Sequence, residues 1–192
     1  MFVFFATFYT GPDEGPADDG EVQALVRAAR VGNARAARRL YALHVARVFR
    51  SVRPWCASEA EAEDVTQDTF VRALGSLVKY EPREGVPFIA WVLTIAMNLA
   101  RKGRARAAKV EDDAEVEDAG DSELSASDVL MKRRLLAALA ELPERERRIV
   151  SLRYGGELSA DEVAEVVGVS AANVRKICER QRQVLLQRLE GP

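Results

Sequence analysis

From Glu21 onward the apolar residues recur at intervals of three and four, and no stretch sustains the strict alternation of a half-buried strand. Val22, Leu25, Val26 and Ala29 make a first stripe that ends near Gly32-Asn33. Leu40, Leu43, Val48 and Val52 carry a second helix as far as Pro54. Ser58 or Glu59 starts a third, with Val65, Phe70, Val71, Leu74 and Leu77 as its apolar positions. Pro82 to Pro87 (PREGVP) reads as a loop, and Phe88 to about Ala107 as a fourth helix with a heavily basic end. The stretch 108–128 has no apolar periodicity and reads as a linker. After it, Ser125 to Asp128 offers caps for a helix through Glu141, Pro143 breaks that helix, and another runs from Glu144 to Tyr154. The pattern predicts an all-α chain.

The sharpest local pattern is LSADEVAEVVGVSAANVRKIC, Leu158 to Cys178. Ser159 with Glu162 three residues later forms a capping box, and Val163, Ala164 and Val167 follow at helical spacing. Gly168 stands where a helix end needs a residue tolerant of positive φ. Ser170 is placed to cap a second helix, whose Val174 and Ile177 face the first. A small residue at the crossing, a turn glycine and a basic second helix make the pattern of a DNA-binding helix-turn-helix. A helical hairpin with no DNA role shares the apolar periodicity but does not require the basic second helix.

Charge sharpens this picture. The 192 residues carry a formal net charge of −2, an average that argues against nucleic acid. Residues 21–107 nevertheless hold 15 Lys/Arg against 8 Asp/Glu, and residues 129–192 hold 12 against 9. Between them, 108–128 has one Lys against 9 Asp/Glu, so two basic modules flank an acidic strap. The two cysteines, Cys56 and Cys178, have no ligand-spaced partners, which argues against a zinc site or disulfide framework and for a reducing cytoplasm. His44 falls within a helical pattern, as a structural or solvent-facing residue. No phosphate-binding glycine loop, HExxH or nucleophile elbow occurs, so neither an enzyme, a metal nor a cofactor is expected. The opening MFVFFATFYT is too short to span a bilayer and lacks a basic n-region, so no membrane insertion is expected. It reads as a misassigned start or an arm, followed by a flexible break at 11–20.

Four blocks in order resemble the extracytoplasmic-function (ECF) sigma factors, two-domain initiation subunits of bacterial RNA polymerase. Val31-Gly32-Asn33-Ala34 with Leu40-Tyr41 looks like the first-helix turn of the sigma-2 domain. EAEDVTQDTFVRAL (Glu61 to Leu74) is close to the family's DAEDLTQETFLRA run, and FIAWVLTIAMNLARKGRAR (Phe88 to Arg106) is similar to FRTWLYRIARNLALDHLRR. LPERERRIVSLRYGGELSADEVAEVVGVS (Leu142 to Ser170) resembles the sigma-4 domain throughout. The resemblance implies a flexible arm at 1–20, a sigma-2 helical bundle at 21–107, an acidic flexible linker at 108–127 and a sigma-4 helix-turn-helix domain at 128–192. It implies binding to core polymerase and promoter DNA, with an anti-sigma factor as a further partner. A helix-turn-helix regulator acting alone would leave Glu61–Leu74 and the acidic linker unexplained. A sigma-like decoy that binds polymerase or an anti-sigma factor without initiating is the other competitor.

By the same resemblance, particular residues acquire roles. Asp64, Gln67, Asp68 and Val71 fall on one helix face, which in the family docks on the polymerase clamp helices. A polar stripe opposite a core face is also what a merely solvated helix shows. Asn98 matches the family residue that helps hold a base flipped from the −10 element, an amide having both donor and acceptor for a base edge. The pocket for that base would form near the loop before Phe88, while Trp91, within an apolar run, is assigned to the core. Arg101, Lys102, Arg104 and Arg106 become phosphate contacts. At the −35 element the second helix of the helix-turn-helix would present Ser170, Asn173, Arg175, Lys176, Glu179 and Arg180, with Arg175 as base reader and Arg153 on phosphate. The chain departs from the family at Thr94 and Met97, where basic residues are common, which predicts weaker promoter melting or an altered preference. It departs again at Ile177-Cys178, usually Arg-Leu, which predicts a missing basic contact and a cysteine in the core. The acidic stretch Glu111 to Asp118 would mimic RNA in the polymerase channel.

Overall fold

The computed structural model describes residues 18–107 and 126–190, and these are all-α. Helix α1 (Asp19–Arg30) begins where the Asp18 carboxylate accepts from the Glu21 amide at 2.7 Å. Gly32, at φ +90°, turns the chain, and the Asn33 side chain caps α2 (Ala34–Val52) by accepting from the amides of Arg35 and Ala36. A 3-10 turn at Arg53–Trp55, with Pro54 leading it, ends α2. Ser58 caps α3 (Glu59–Gly75), and Glu61 reaches back to the Ala57 amide at 2.7 Å. The 81–87 loop closes on a single bridge between Arg83 and Val86 and leads into α4 (Phe88–Ala107).

The second group comprises α5 (Ala126–Ala140), α6 (Glu144–Val150), α7 (Ala160–Val167) and α8 (Ala171–Glu190). The capping box of Ser159 and Glu162 is present, Gly168 ends α7 at φ +75°, and the Ser170 hydroxyl accepts from the Asn173 amide at 3.2 Å. Several element boundaries differ from the sequence pattern: α1 begins at Asp19 rather than Glu21, α3 ends at Gly75 short of Leu77, and α5 begins at Ala126 within the stretch read as linker. The helix expected through Glu141 stops at Ala140, and the one expected through Tyr154 is α-helical only to Val150. Ser151–Gly155 widens into a π-helical turn, in which the Gly156 amide donates to the Ser151 carbonyl at 2.9 Å. Of the arm expected at 1–20, residues 1–17 lie outside the described residues and Asp19 and Gly20 are helical. Of the linker expected at 108–127, residues 108–125, with the Ser125 cap, lie outside them and Ala126 and Ser127 are helical.

Leu40, Val48, Val52, Phe88, Ile89, Val92 and Leu93 fill the first group, each side chain worth about 1.5–3 kcal/mol when fully buried. The same cluster continues without interruption into Ile149, Leu152, Leu158 and Val163 of the second group. Polar contacts follow it across. The Trp55 indole donates to the Ser151 hydroxyl at 3.1 Å beneath the Arg147 guanidinium, and Arg47 donates to the Gly156 carbonyl at 2.9 and 2.6 Å. The core face of α3 is corrected. Val65 and Leu74, expected on the core face, are only partly buried; that face is filled by Ala62, Thr66, Thr69, Phe70 and Ala73, while Val71 is 72% exposed on the face it shares with Asp64. The two threonines are tolerated there because each hydroxyl donates to a carbonyl one turn back at 2.7 Å.

Candidate nucleic-acid and partner interfaces

On α3, Asp64, Gln67, Asp68 and Val71 all face solvent along one stripe. Asp68 lies 3.8 Å from Arg72, one turn on, an exposed pair that adds little stability. The stripe therefore joins acids, an amide and an exposed valine that the fold itself leaves available. Such a mixed surface suits a partner that offers cations around an apolar contact.

On α4, Asn98 is exposed, as are Arg101, Lys102, Arg104 and Arg106. Two of these cations touch the second group: Arg101 lies 3.9 Å from Glu144, and Arg104 donates to the Ala140 carbonyl at 3.2 Å. Beside the 81–87 loop lies a cavity of about 160 Å³, lined by Tyr80, Arg83, Pro87, Trp91 and Thr94, with Glu165 and Val166 of α7 on its far side. Trp91 is half-buried and stacks against Tyr80 and Phe88 at 5.2 and 5.8 Å between ring centroids, so it packs on the core and also walls this cavity. Asn98 is not among the lining residues. Tyr80, Arg83 and Glu165 carried no sequence signal, since they meet only through the loop and the contact between the two groups. The departures on α4 also change meaning. Met97 is 2% exposed, so its side chain packs inward and removes no surface contact, and the Thr94 hydroxyl donates to the Ala90 carbonyl at 2.9 Å.

On α8, Arg175 and Lys176 are exposed, with Arg175 3.7 Å from Asp161. Asn173 is half-buried at the first turn, where Ser170 acts as its cap. Glu179 is held by Arg182 at 2.9 Å, and that hydrogen bond and charge lower its pKa. Arg180 pairs with Glu146, which also accepts from Gln181. Arg153 donates to the Leu158 carbonyl at 3.1 Å and lies over the Tyr154 ring. Arg153, Glu179 and Arg180 thus each have a partner within the chain, as Arg175 has in Asp161, and Arg175, Lys176, Glu179 and Arg180 are all exposed on α8. Ile177 is 8% exposed and faces the core, so the missing arginine there removes no outward contact; Cys178 is buried beside it.

Both cysteines are free and buried. Burial, with Glu61 adding to it, pushes the Cys56 thiol up to about 12, and burial raises Cys178. Among the described residues no group of His, Cys, Asp or Glu is arranged to hold a metal ion, and no helix is long and apolar enough to cross a membrane.

Residues 40–110 match the family model for sigma-70 region 2, and residues 132–177 match that for sigma-70 region 4. The RNA polymerase sigma factor CarQ of Myxococcus xanthus is 33% identical over 153 residues, covering 78% of this chain and 87% of CarQ. The chain belongs to the ECF sigma factors of RNA polymerase. The ECF sigma factor BldN of Streptomyces coelicolor is 31% identical over 178 residues, 90% of this chain and 67% of BldN. CnrH of Cupriavidus metallidurans is 30% identical over 184 residues. The structure of CnrH in complex with the cytosolic domain of CnrY superposes with a TM-score of 0.68 at 26% identity, over 90% of this chain and 98% of CnrH. This sigma factor therefore directs promoter recognition and is not an enzyme. Its region 2 is the α2–α4 group with α4's basic end, and its region 4 includes the capped α7–turn–α8 unit.

Proposed function

We propose that this sigma factor docks on core RNA polymerase through Asp64, Gln67, Asp68 and Val71, reads the −35 element with α8, and opens the −10 element with α4. The observation that carries the reading is the outward stripe on α3, since a DNA reader acting alone has no use for a second exposed face of acids and valine. On α8, Arg175 and Lys176 are the base-edge and phosphate contacts, with Arg153, Glu179 and Arg180 positioning the helix. On α4, Asn98 contacts an unstacked base, and Lys102 and Arg106 hold phosphates. Residues 21–107 and 128–192 are the two working domains, with 108–127 running between them through the polymerase. The protein works in the cytoplasm, with an anti-sigma factor as its regulatory partner; support comes from CnrH, which was solved with the cytosolic domain of CnrY. Promoter-dependent transcripts from core polymerase plus this chain are the expected result of an in vitro transcription assay. DNA binding with no polymerase requirement would favour the stand-alone regulator, and polymerase binding with no transcripts would favour the decoy.

A further inference from the structure

Two cations of α8 each face an acid from a neighbouring helix, and the two acids are held very differently. Arg175 stands 3.7 Å from Asp161 of α7, whose side chain is 79% exposed. A pair so open to water adds little stability, so Arg175 can exchange it for a base or a phosphate. Arg180 pairs with Glu146 of α6, whose side chain is only 20% exposed. The other carboxylate oxygen of Glu146 accepts from the Gln181 side-chain amide. Gln181 is 5% exposed and stands with Val174, Ile177 and Cys178 on the inward side of α8. Moving Glu146 away would take this acceptor from a buried amide, which costs more than an exposed ion pair contributes. The carboxylate is therefore fixed in place, and Arg180 is tied to a partner that cannot follow it to DNA.

Lys176 and Arg180 lie four residues apart, so a duplex that meets the first also passes the second. We propose that Glu146 is a positioning residue that holds Arg180 off the DNA backbone and so limits the sequence-independent grip of α8. The inference rests on the function proposed above in taking α8 as the DNA-facing helix; the tether itself rests on the contacts among Glu146, Arg180 and Gln181. A released Arg180 adds one phosphate contact, which displaces counterions and strengthens binding to every sequence alike.

Glu146→Gln tests this, because its amide oxygen still accepts from Gln181 while the charge that holds Arg180 is gone. The probe is a random-sequence duplex of about 25 base pairs, bound by the full-length chain and followed by fluorescence anisotropy between about 50 and about 200 mM salt. Glu146→Gln is expected to tighten binding and to steepen the slope of log K against log salt by about 0.9, so that the gain is about three-fold larger at the low-salt end. The gain is expected to vanish when Arg180→Ala is combined with it. Lys176→Ala is the control for α8 itself and is expected to make the slope shallower by about 0.9. Urea midpoints read the tether without DNA: Glu146→Gln is expected to lower the midpoint more in the wild-type chain than in the Arg180→Ala chain. A Glu146→Gln slope equal to wild type or shallower would overturn the proposal, as would a gain that survives the loss of Arg180. Equal midpoint shifts in both chains would overturn the ion pair on which it stands. A Lys176→Ala slope equal to wild type, or no binding by the wild-type chain, would instead overturn α8 as the DNA-facing helix, and the proposal with it.

Discussion

His44, the lone histidine, is 6% exposed, and neither ring nitrogen has a hydrogen-bond partner. Burial first, and the nearby Arg47 charge second, lower its pKa from 6.5 to about 4. The folded state thus keeps the ring neutral where the unfolded state protonates it. Its contribution is fully present above about pH 6.5 and lost as pH falls toward 4, an effect of about 3 kcal/mol. The urea midpoint is expected to drop from pH 7 to pH 5, and His44→Leu should flatten that slope; an unchanged slope in the variant would place the acid sensitivity elsewhere. Arg175 makes the complementary prediction on the outside. Arg175→Ala should relax preference at one −35 base pair, by about 1–3 kcal/mol of discrimination. Gel-shift competition across an ordered set of −35 mutants checks this, and equal loss on every sequence would make Arg175 a phosphate contact. At this scale the sequence was legible where chemistry is local, as at Ser159, Ser170 and Cys178. At Met97 and Ile177 the pattern shows which residue type stands there but not that both side chains are buried in this chain.

The helix-turn-helix was readable as an element because every one of its signals is short-range. The cap, the box partner and the turn glycine lie within ten residues of one another and satisfy backbone groups that any α-helix leaves open. Ser159→Ala removes the oxygen that accepts from the Glu162 amide, and should cost about 1 kcal/mol. A shift of the thermal midpoint measures it, and a midpoint equal to wild type would mean that Glu162 alone caps α7. Helix α3 was less legible. Its inward face rests on alanine and threonine, with only Phe70 as a large buried apolar group, so hydrophobicity marks little of that face. The widened turn at Ser151–Gly155 had no signal at all, since it depends on where Gly155 and Gly156 press against α2, Leu152 and Leu93.

Across the whole molecule, the family and both helical groups could be read from ordered blocks, whereas their packing could not. The contacts between halves join residues about a hundred positions apart, and several are backbone carbonyls, which leave no trace in residue type. The α3 stripe lies clear of that contact, so its loss can be tested without disturbing the fold. Asp68→Arg should leave circular dichroism and the thermal midpoint unchanged while weakening capture by core polymerase at least about ten-fold. Undiminished holoenzyme in a pull-down would remove Asp68 from the docking surface. The placement of the two thiols has a consequence of another kind. Only a thiolate reacts readily with peroxide or disulfide, and Cys56 and Cys178 are both buried and held toward the protonated form. Oxidants therefore have no direct thiol handle on the folded chain, and a thiol-based response to them must begin in another molecule that senses the oxidant and passes the signal on.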